Sequence, residues 1–357
     1  MPSNITFQEE LKQEQILKLR RLIDSLPKFC REFFIGIEPT TSMRTRIAYA
    51  YDLNMFFQYL IENNEHFRDK PLSSITLSDM EALEASDIEA YLEYLNFYVK
   101  VDEDNPDEYL EFSNNNKAKA RKLSTIRSFY KYFYNRKKIK VNPASFVDMP
   151  KIHDQPITRL EVDEVARLLD MVESGEKLTK TQLRYQKYTK TRDLCILSLF
   201  LGTGIRVSEL VGIDISDIDF NVNGFKITRK GGNQVVLYFG DEVENAIKDY
   251  LDERKLITPL SGHEDALFLS LQRKRISVRA VQALVKKYTQ MVTSIKNISP
   301  HKLRSTYGTN LYRETGDIYL VADVLGHKDV NTTKKHYAAI DDDKRRMAAK
   351  VVKLRED

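Results

Sequence analysis

Leu325-Gly326-His327-Lys328-Asp329-Val330-Asn331-Thr332-Thr333-Lys334-Lys335-His336-Tyr337 sets a histidine directly after a glycine and a tyrosine ten positions later. Two other polar clusters stand upstream. One is His301-Lys302-Leu303-Arg304, the other Thr203-Gly204-Ile205-Arg206-Val207-Ser208-Glu209-Leu210. Two arginines, two histidines and a late tyrosine are suited to holding a phosphodiester while a phenol attacks it. The planar guanidinium fork matches two phosphate oxygens at once. A tyrosine with its ordinary pKa of about 10 is a poor nucleophile. It needs neighbours that stabilise the charge built up on phosphorus.

Each cluster also has a plain structural reading when taken alone. Arg206 follows a glycine-containing turn and opens a short helix. Glu209, three residues on, shares its helical face and can hold the guanidinium as a supporting acceptor. His301 and Arg304 are three apart at the start of a helix capped near Ser299 and Pro300, so both lie on one face, at an end that favours anions. His327 falls in a turn between two helices. Tyr307, Tyr312 and Tyr319 read as packing residues. His336 adjoins Tyr337, but neighbours on a helix point about 100° apart, so the two do not face one phosphate. No HExxH occurs and neither cysteine belongs to a CxxC, which argues against a metal site.

Taken together, the boxes "LGTGIRVSEL", "HKLR" and "LGHKDVNTTKKHY" resemble those of the tyrosine recombinases, the phage integrase-like family. Within that family the chain is similar to the Xer group, and in length and N-terminal sequence to its single-recombinase XerS type. The resemblance covers roughly residues 42–354. It implies a mainly α, two-domain C-shaped clamp on DNA. Residues 1–150 would form a helical, SAM-like core-binding domain. Residues 151–357 would form a mixed α/β catalytic domain with a small antiparallel sheet.

The same resemblance assigns roles. Arg206, His301, Arg304 and His327 stabilise the pentavalent phosphorus, and Tyr337 is the nucleophile that forms a 3′-phosphotyrosyl bond. Lys230, in the turn Lys230-Gly231-Gly232-Asn233, is the general acid for the departing 5′ oxygen, with Lys226 and Arg229 as nearby competitors. Two rounds of exchange pass through a Holliday junction without ATP, metal or other cofactor. The implied partners are double-stranded DNA at a dif-like site, a homotetramer spanning two such sites, and a DNA translocase of the FtsK type. The implied role is resolution of chromosome dimers before cell division. Ser305 departs from the His-x-Leu-Arg-His pattern common in the group, yet both donors of that box remain. A phage or transposon integrase would use the same chemistry. A DNA-binding regulator without catalysis would not be expected to keep every one of these residues.

Bulk properties agree with a soluble globular protein. The chain has 357 residues, 42% hydrophobic and 30% charged, with a net charge of +4, enough length for two domains. That charge alone announces no nucleic-acid partner, but its distribution does. Residues 117–140 carry ten Lys or Arg and no acid, whereas residues 77–112 carry twelve acids against Lys100. Such polarity gives one face fit for a polyanion. Lys117, Lys119, Arg121, Lys122, Arg127 and Lys131 are the candidate DNA contacts there. Cys30 and Cys195 read as buried free thiols in a reducing compartment. No run approaches the roughly 20 apolar residues needed to span a bilayer, and the N-terminus lacks a signal peptide's pattern, so a cytoplasmic site is expected.

Periodicity places the elements. Residues 8–35 read as helix broken at Pro27, with a second stretch from Phe29 to Ile37. Helices follow from Met43 to Leu60 and from Ser78 to Phe97. Lys100–Asn116, acidic and containing Pro106, reads as a loop. The next helix turns Leu123, Ile126, Phe129, Tyr130 and Phe133 inward and Lys122, Arg127 and Lys131 outward. Met149-Pro150 to Gln155-Pro156 is an extended linker. Beyond it lie a helix at about 160–173, a basic segment from Lys177 to Arg192 and an apolar helix at Leu194–Leu201. The strands Phe225–Arg229 and Val235–Phe239 form a hairpin. Helices are expected at about 241–254, 277–291, 302–314, 318–324 and 342–354. The last, with Met347, Ala348, Val351, Val352 and Leu354, resembles the terminal segment that docks on a neighbouring recombinase protomer.

Overall fold

The computed structural model describes residues 7–68, 70–102, 105, 108–152, 158–229, 232–327 and 329–330. Lys230, Tyr337 and the expected helix at 342–354 lie outside the described residues. The chain divides into two compact units, Met1–Asp154 and Gln155–Asp357. Among the described residues both are mainly α-helical, each with one small antiparallel sheet. No helix among the described residues is long and apolar enough to cross a membrane.

In the first unit, α1 (Phe7–Asp24), α2 (Cys30–Gly36), α3 (Met43–Asn63), α4 (Leu77–Glu81), α5 (Ala85–Tyr94) and α6 (Asn116–Asn135) enclose an aromatic core. Phe33, Phe56, Phe57, Tyr91, Phe129, Tyr130 and Phe133 are all buried in it. Ser42 and Asn115 cap α3 and α6 by accepting from Thr45 N and Ala118 N. The expected helix from Ser78 to Phe97 is two helices. Thr76 with Asp79 and Glu84 with Asp87 each form a capping box, so the chain restarts at Glu84 while Leu83 fills the core. The two units hold one cysteine each, both fully buried. Burial pushes both thiols well above the ordinary range.

Two further expectations fail in this unit. Lys100–Asn116 is not simply a loop. It overlaps an antiparallel pair, β1 (Tyr98–Val101) and β2 (Tyr109–Phe112), matched from Tyr98↔Phe112 to Val101↔Tyr109. The Tyr98 ring stacks on Phe112 at 5.3 Å and on Tyr94 at 5.1 Å, which ties the hairpin to α5. The second failure concerns α6. Leu123, Ile126, Phe129, Tyr130 and Phe133 do face inward, but Lys122 is buried rather than outward, at 8% exposure. Its ammonium meets the carboxylate of Asp52, itself 1% exposed, at 3.4 Å. Arg127 is half-buried and donates to Ala144 O at 3.1 Å and to Val147 O. Lys131 is exposed as expected.

The second unit is built around α9 (Lys190–Thr203), which packs on α7 (Val162–Ser174), α11 (Asp241–Arg254) and α13 (Pro300–Thr315). A helix apolar on most sides must be buried, and Cys195, Ile196, Leu197, Leu199 and Phe200 are. The basic segment before it contains α8 (Lys180–Gln186). α10 (Val207–Leu210) follows the glycine turn. The sheet runs β3 (Ile218–Asp219), β4 (Gly224–Thr228), β5 (Gln234–Tyr238), all antiparallel; β3 has no counterpart in the sequence-based expectation. Phe225 opposite Leu237 faces the core. α12 (Val278–Val292) and α14 (Ile318–Leu325) are the remaining helices among the described residues.

Candidate active site

The site grows from the C-terminal end of α14. The last carbonyls of any helix lack partners inside it, and the aligned peptide dipoles leave partial negative charge there. Gly326 closes α14 in a left-handed conformation (φ 61°). His327 N then donates back to Ala322 O at 2.9 Å, the Schellman arrangement that glycine favours.

Three guanidiniums satisfy the remaining carbonyls. Arg206 Nη2 donates to Leu325 O and Gly326 O, each at 3.2 Å. Arg304 Nη2 also donates to Leu325 O, and its Nη1 to Gly204 O. Arg229 Nη2 donates to Val324 O at 2.9 Å. One turn thus gathers cations from α10, α13 and the β4 end, and carries His327 itself.

Each arginine is placed by its own local device. Arg206 is the N-cap of α10. Its backbone N–H donates to Glu209 Oε2 at 3.0 Å and its Nη1 to Glu209 Oε1 at 2.8 Å. Glu209 is buried, with 4% side-chain exposure, whereas the Arg206 side chain keeps 35%. Arg206 therefore has a fixed root and a solvent-facing guanidinium. Gly204 ends α9 at φ 62°, and a Cβ there would lie 2.5 Å from the Tyr307 ring and 2.9 Å from Leu325. Only glycine permits this approach. Arg304 is buried on α13. His301 lies one turn before it on the same helix, exposed, behind the Ser299–Pro300 start. Half-buried Tyr307 has its phenol pushed above the ordinary value by burial, which Arg304 partly opposes.

Of the site residues expected from sequence, Arg206 and Arg304 therefore converge on the turn that carries His327, with Glu209 held against Arg206 and His301 one helical turn from Arg304. Lys230 and Tyr337 lie outside the described residues. Among the competitors for the acid role, Lys226 is exposed on the outer face of β4, while Arg229 turns inward. What sequence reasoning missed is Arg229 as a structural partner of the site. The signal was present: Phe225, Ile227 and Arg229 alternate with exposed Lys226 and Thr228, a period of two.

The candidate DNA contacts on α6 sort differently. Lys117 and Lys131 are exposed. Lys119 donates to Asn96 Oδ1 at 2.8 Å, and Arg121, 51% exposed, pairs with Asp52. Lys122 and Arg127 are committed inside the unit.

The phage integrase family model matches residues 158–344, the stretch that holds all of these boxes. The chain belongs to the tyrosine recombinases. The family's "Tyrosine recombinase XerC" from Caldanaerobacter subterraneus subsp. tengcongensis is 35% identical over 90% of this chain and 86% of that one. "Tyrosine recombinase XerS" of Lactococcus lactis subsp. cremoris is 27% identical over 94% of this chain and 98% of that one. Among solved structures, the XerH recombinase bound to its difH substrate in a pre-cleavage complex has a TM-score of 0.59 at 16% identity. That match covers 82% of this chain and 76% of XerH, a likeness of fold. The recombinase described here is thus of Xer type, an enzyme of site-specific DNA recombination.

Proposed function

We propose that this recombinase exchanges DNA strands at a dif-like site and so resolves chromosome dimers before cell division, in the cytoplasm. Residues 1–150 would bind DNA and residues 151–357 carry out the chemistry. The observation that supports the reading most is the convergence of Arg206 and Arg304 on Leu325 O beside His327. Guanidiniums held in advance need no reorganisation when charge develops on a phosphate.

In this reading, the Tyr337 hydroxyl gives its proton to solvent, its oxygen attacks phosphorus and the bond from phosphorus to the 5′ oxygen breaks. Lys230 gives that oxygen its proton. Arg206, Arg304, His301 and His327 stabilise the pentavalent state. A free 5′ hydroxyl of the partner duplex then attacks the 3′-phosphotyrosyl bond and releases Tyr337. The phosphotyrosyl link keeps the bond energy, so the exchange needs neither ATP nor metal. Two rounds pass through a Holliday junction held by a homotetramer on two duplexes, with a translocase of the FtsK type as a regulating partner. XerH, of like fold, is bound to a difH substrate in its own structure.

The test is covalent trapping on nicked fragments of the host genome, where loss of a short 5′ end makes cleavage irreversible. The expected result is one family of adducts mapping near the replication terminus. Adducts mapping to the ends of mobile elements would replace dimer resolution by integration. No adduct on any fragment would replace the enzyme by a DNA-binding regulator.

A further inference from the structure

Arg229 stands apart from the phosphate-binding set, yet it reaches the same turn. Its side chain leaves the buried face of β4, in line with Phe225 and Ile227. Nη2 donates to Val324 O at 2.9 Å. A Cβ built on Gly326 would lie 2.1 Å from Nη1 and 2.4 Å from Cζ, so the guanidinium lies directly against the glycine that precedes His327. Its Nε is buried without a hydrogen-bond partner among the described residues, and an unmade bond of that kind in a folded protein calls for a reason. The backbone of the same residue sets the hairpin turn: Arg229 N donates to Asn233 O at 2.8 Å and Gly232 N to Arg229 O at 3.0 Å.

One residue therefore fixes the hairpin through its backbone and grips the end of α14 through its side chain. A guanidinium stays protonated at any working pH, so it is ill suited to be the proton donor itself. Its flat fork also suits the surface of Gly326, against which a tetrahedral lysine ammonium cannot lie flat.

We infer that Arg229 is a positioning residue that locks the β4–β5 hairpin to the turn holding Arg206, Arg304 and His327, and thereby sets the general-acid lysine that follows it in sequence. This rests on the recombinase reading above and adds a part to it. Loss of Arg229 leaves the phosphate clamp in place and removes proton delivery to the leaving oxygen.

A substrate that needs no proton separates these effects. The duplex is the site mapped by trapping, made with either oxygen or sulfur at the bridging 5′ position of the scissile phosphate. Sulfur leaves as a thiolate, since a thiol ionises near about 8.5, and requires no acid. On the oxygen duplex, Arg229→Ala and Lys230→Ala are expected to form adduct about 10²-fold more slowly than the unaltered recombinase. On the sulfur duplex both are expected within about fivefold of it, because the acid step is bypassed. Arg304→Ala stays slow on both, and Arg229→Lys does not restore the oxygen rate. Arg229→Met, which keeps the bulk of the side chain but no donor for Val324 O, serves if the alanine variant does not fold, as judged by its affinity for the duplex. The inference is overturned if a folded Arg229 variant is equally slow on both duplexes, if it matches the unaltered rate on oxygen, or if Arg229→Lys restores that rate. Absence of adduct from the unaltered recombinase would instead defeat the proposed function.

Discussion

Removing the Asp52 carboxylate should cost the first unit about 3–5 kcal/mol of its stability. Asp52 accepts from Lys122 Nζ at 3.4 Å, from Thr125 Oγ1 at 2.9 Å and from Arg121. In Asp52→Ala the exposed Arg121 turns to water, a change worth about 0–1 kcal/mol. Thr125 retains Arg121 O as an acceptor at 3.3 Å. Among the described residues Lys122 keeps only Met55 Sδ at 3.0 Å, and its side chain is 9% exposed. A buried charge stripped of its partner costs about 3–5 kcal/mol, against the about 5–15 kcal/mol that holds a domain together. Urea unfolding of the full chain, with hydrogen exchange in α6 reporting the first unit, reads this cost directly. Asp52→Leu combined with Lys122→Met should recover most of it, because a well-packed apolar pair replaces a buried ion pair at little loss. A cost below about 1 kcal/mol for Asp52→Ala, or a double variant no better than the single, would refute the reasoning, since buried pairs do not behave so.

The remaining expectations concern DNA, the clamp and acid. Lys117→Ala and Lys131→Ala should each flatten the salt dependence of DNA affinity by about 0.9 of a unit for every phosphate no longer neutralised, while the Asp52→Leu/Lys122→Met pair leaves that slope unchanged. Glu209→Gln should slow single-turnover cleavage about tenfold with DNA affinity kept, because a charge-assisted bond to Arg206 becomes a neutral one about half as strong. Asp79 is held below its ordinary 3.8: burial would raise it, but hydrogen bonds from Lys70, Thr76 and His66 outweigh that. Its contribution to stability is therefore present above pH 3.8 and lost as pH falls below it, since the unfolded chain binds the proton first. Acid unfolding curves should show that loss in the original chain and lack it in Asp79→Asn.

The three boxes were legible in the sequence because their chemistry resides in residue types and local spacing. Arg206 with Glu209, and His301 with Arg304, are separated by one helical turn, and Gly326 before His327 announces a helix end. Prolines and caps marked most boundaries for the same local reason. What could not be read depends on partners far along the chain. Lys122 looked solvated because its partner, Asp52, lies on α3 and nothing near α6 reveals it. The β1–β2 hairpin was hidden when acids around Pro106 dominated the composition, although Val99-Lys100-Val101 and Leu110-Glu111-Phe112 already alternate. Arg229 passed for a second basic turn residue until the fold brought Val324 and Gly326 against it.

The central claim is that the arginine-lined turn presents a phosphodiester to Tyr337. Mass spectrometry of the trapped adduct, after digestion of both protein and DNA, tests it most directly. The predicted result is a single nucleotide-bearing peptide with the phosphate on Tyr337, absent from Tyr337→Phe. A phosphate on Tyr307, Tyr312, Tyr319 or any other side chain would contradict it.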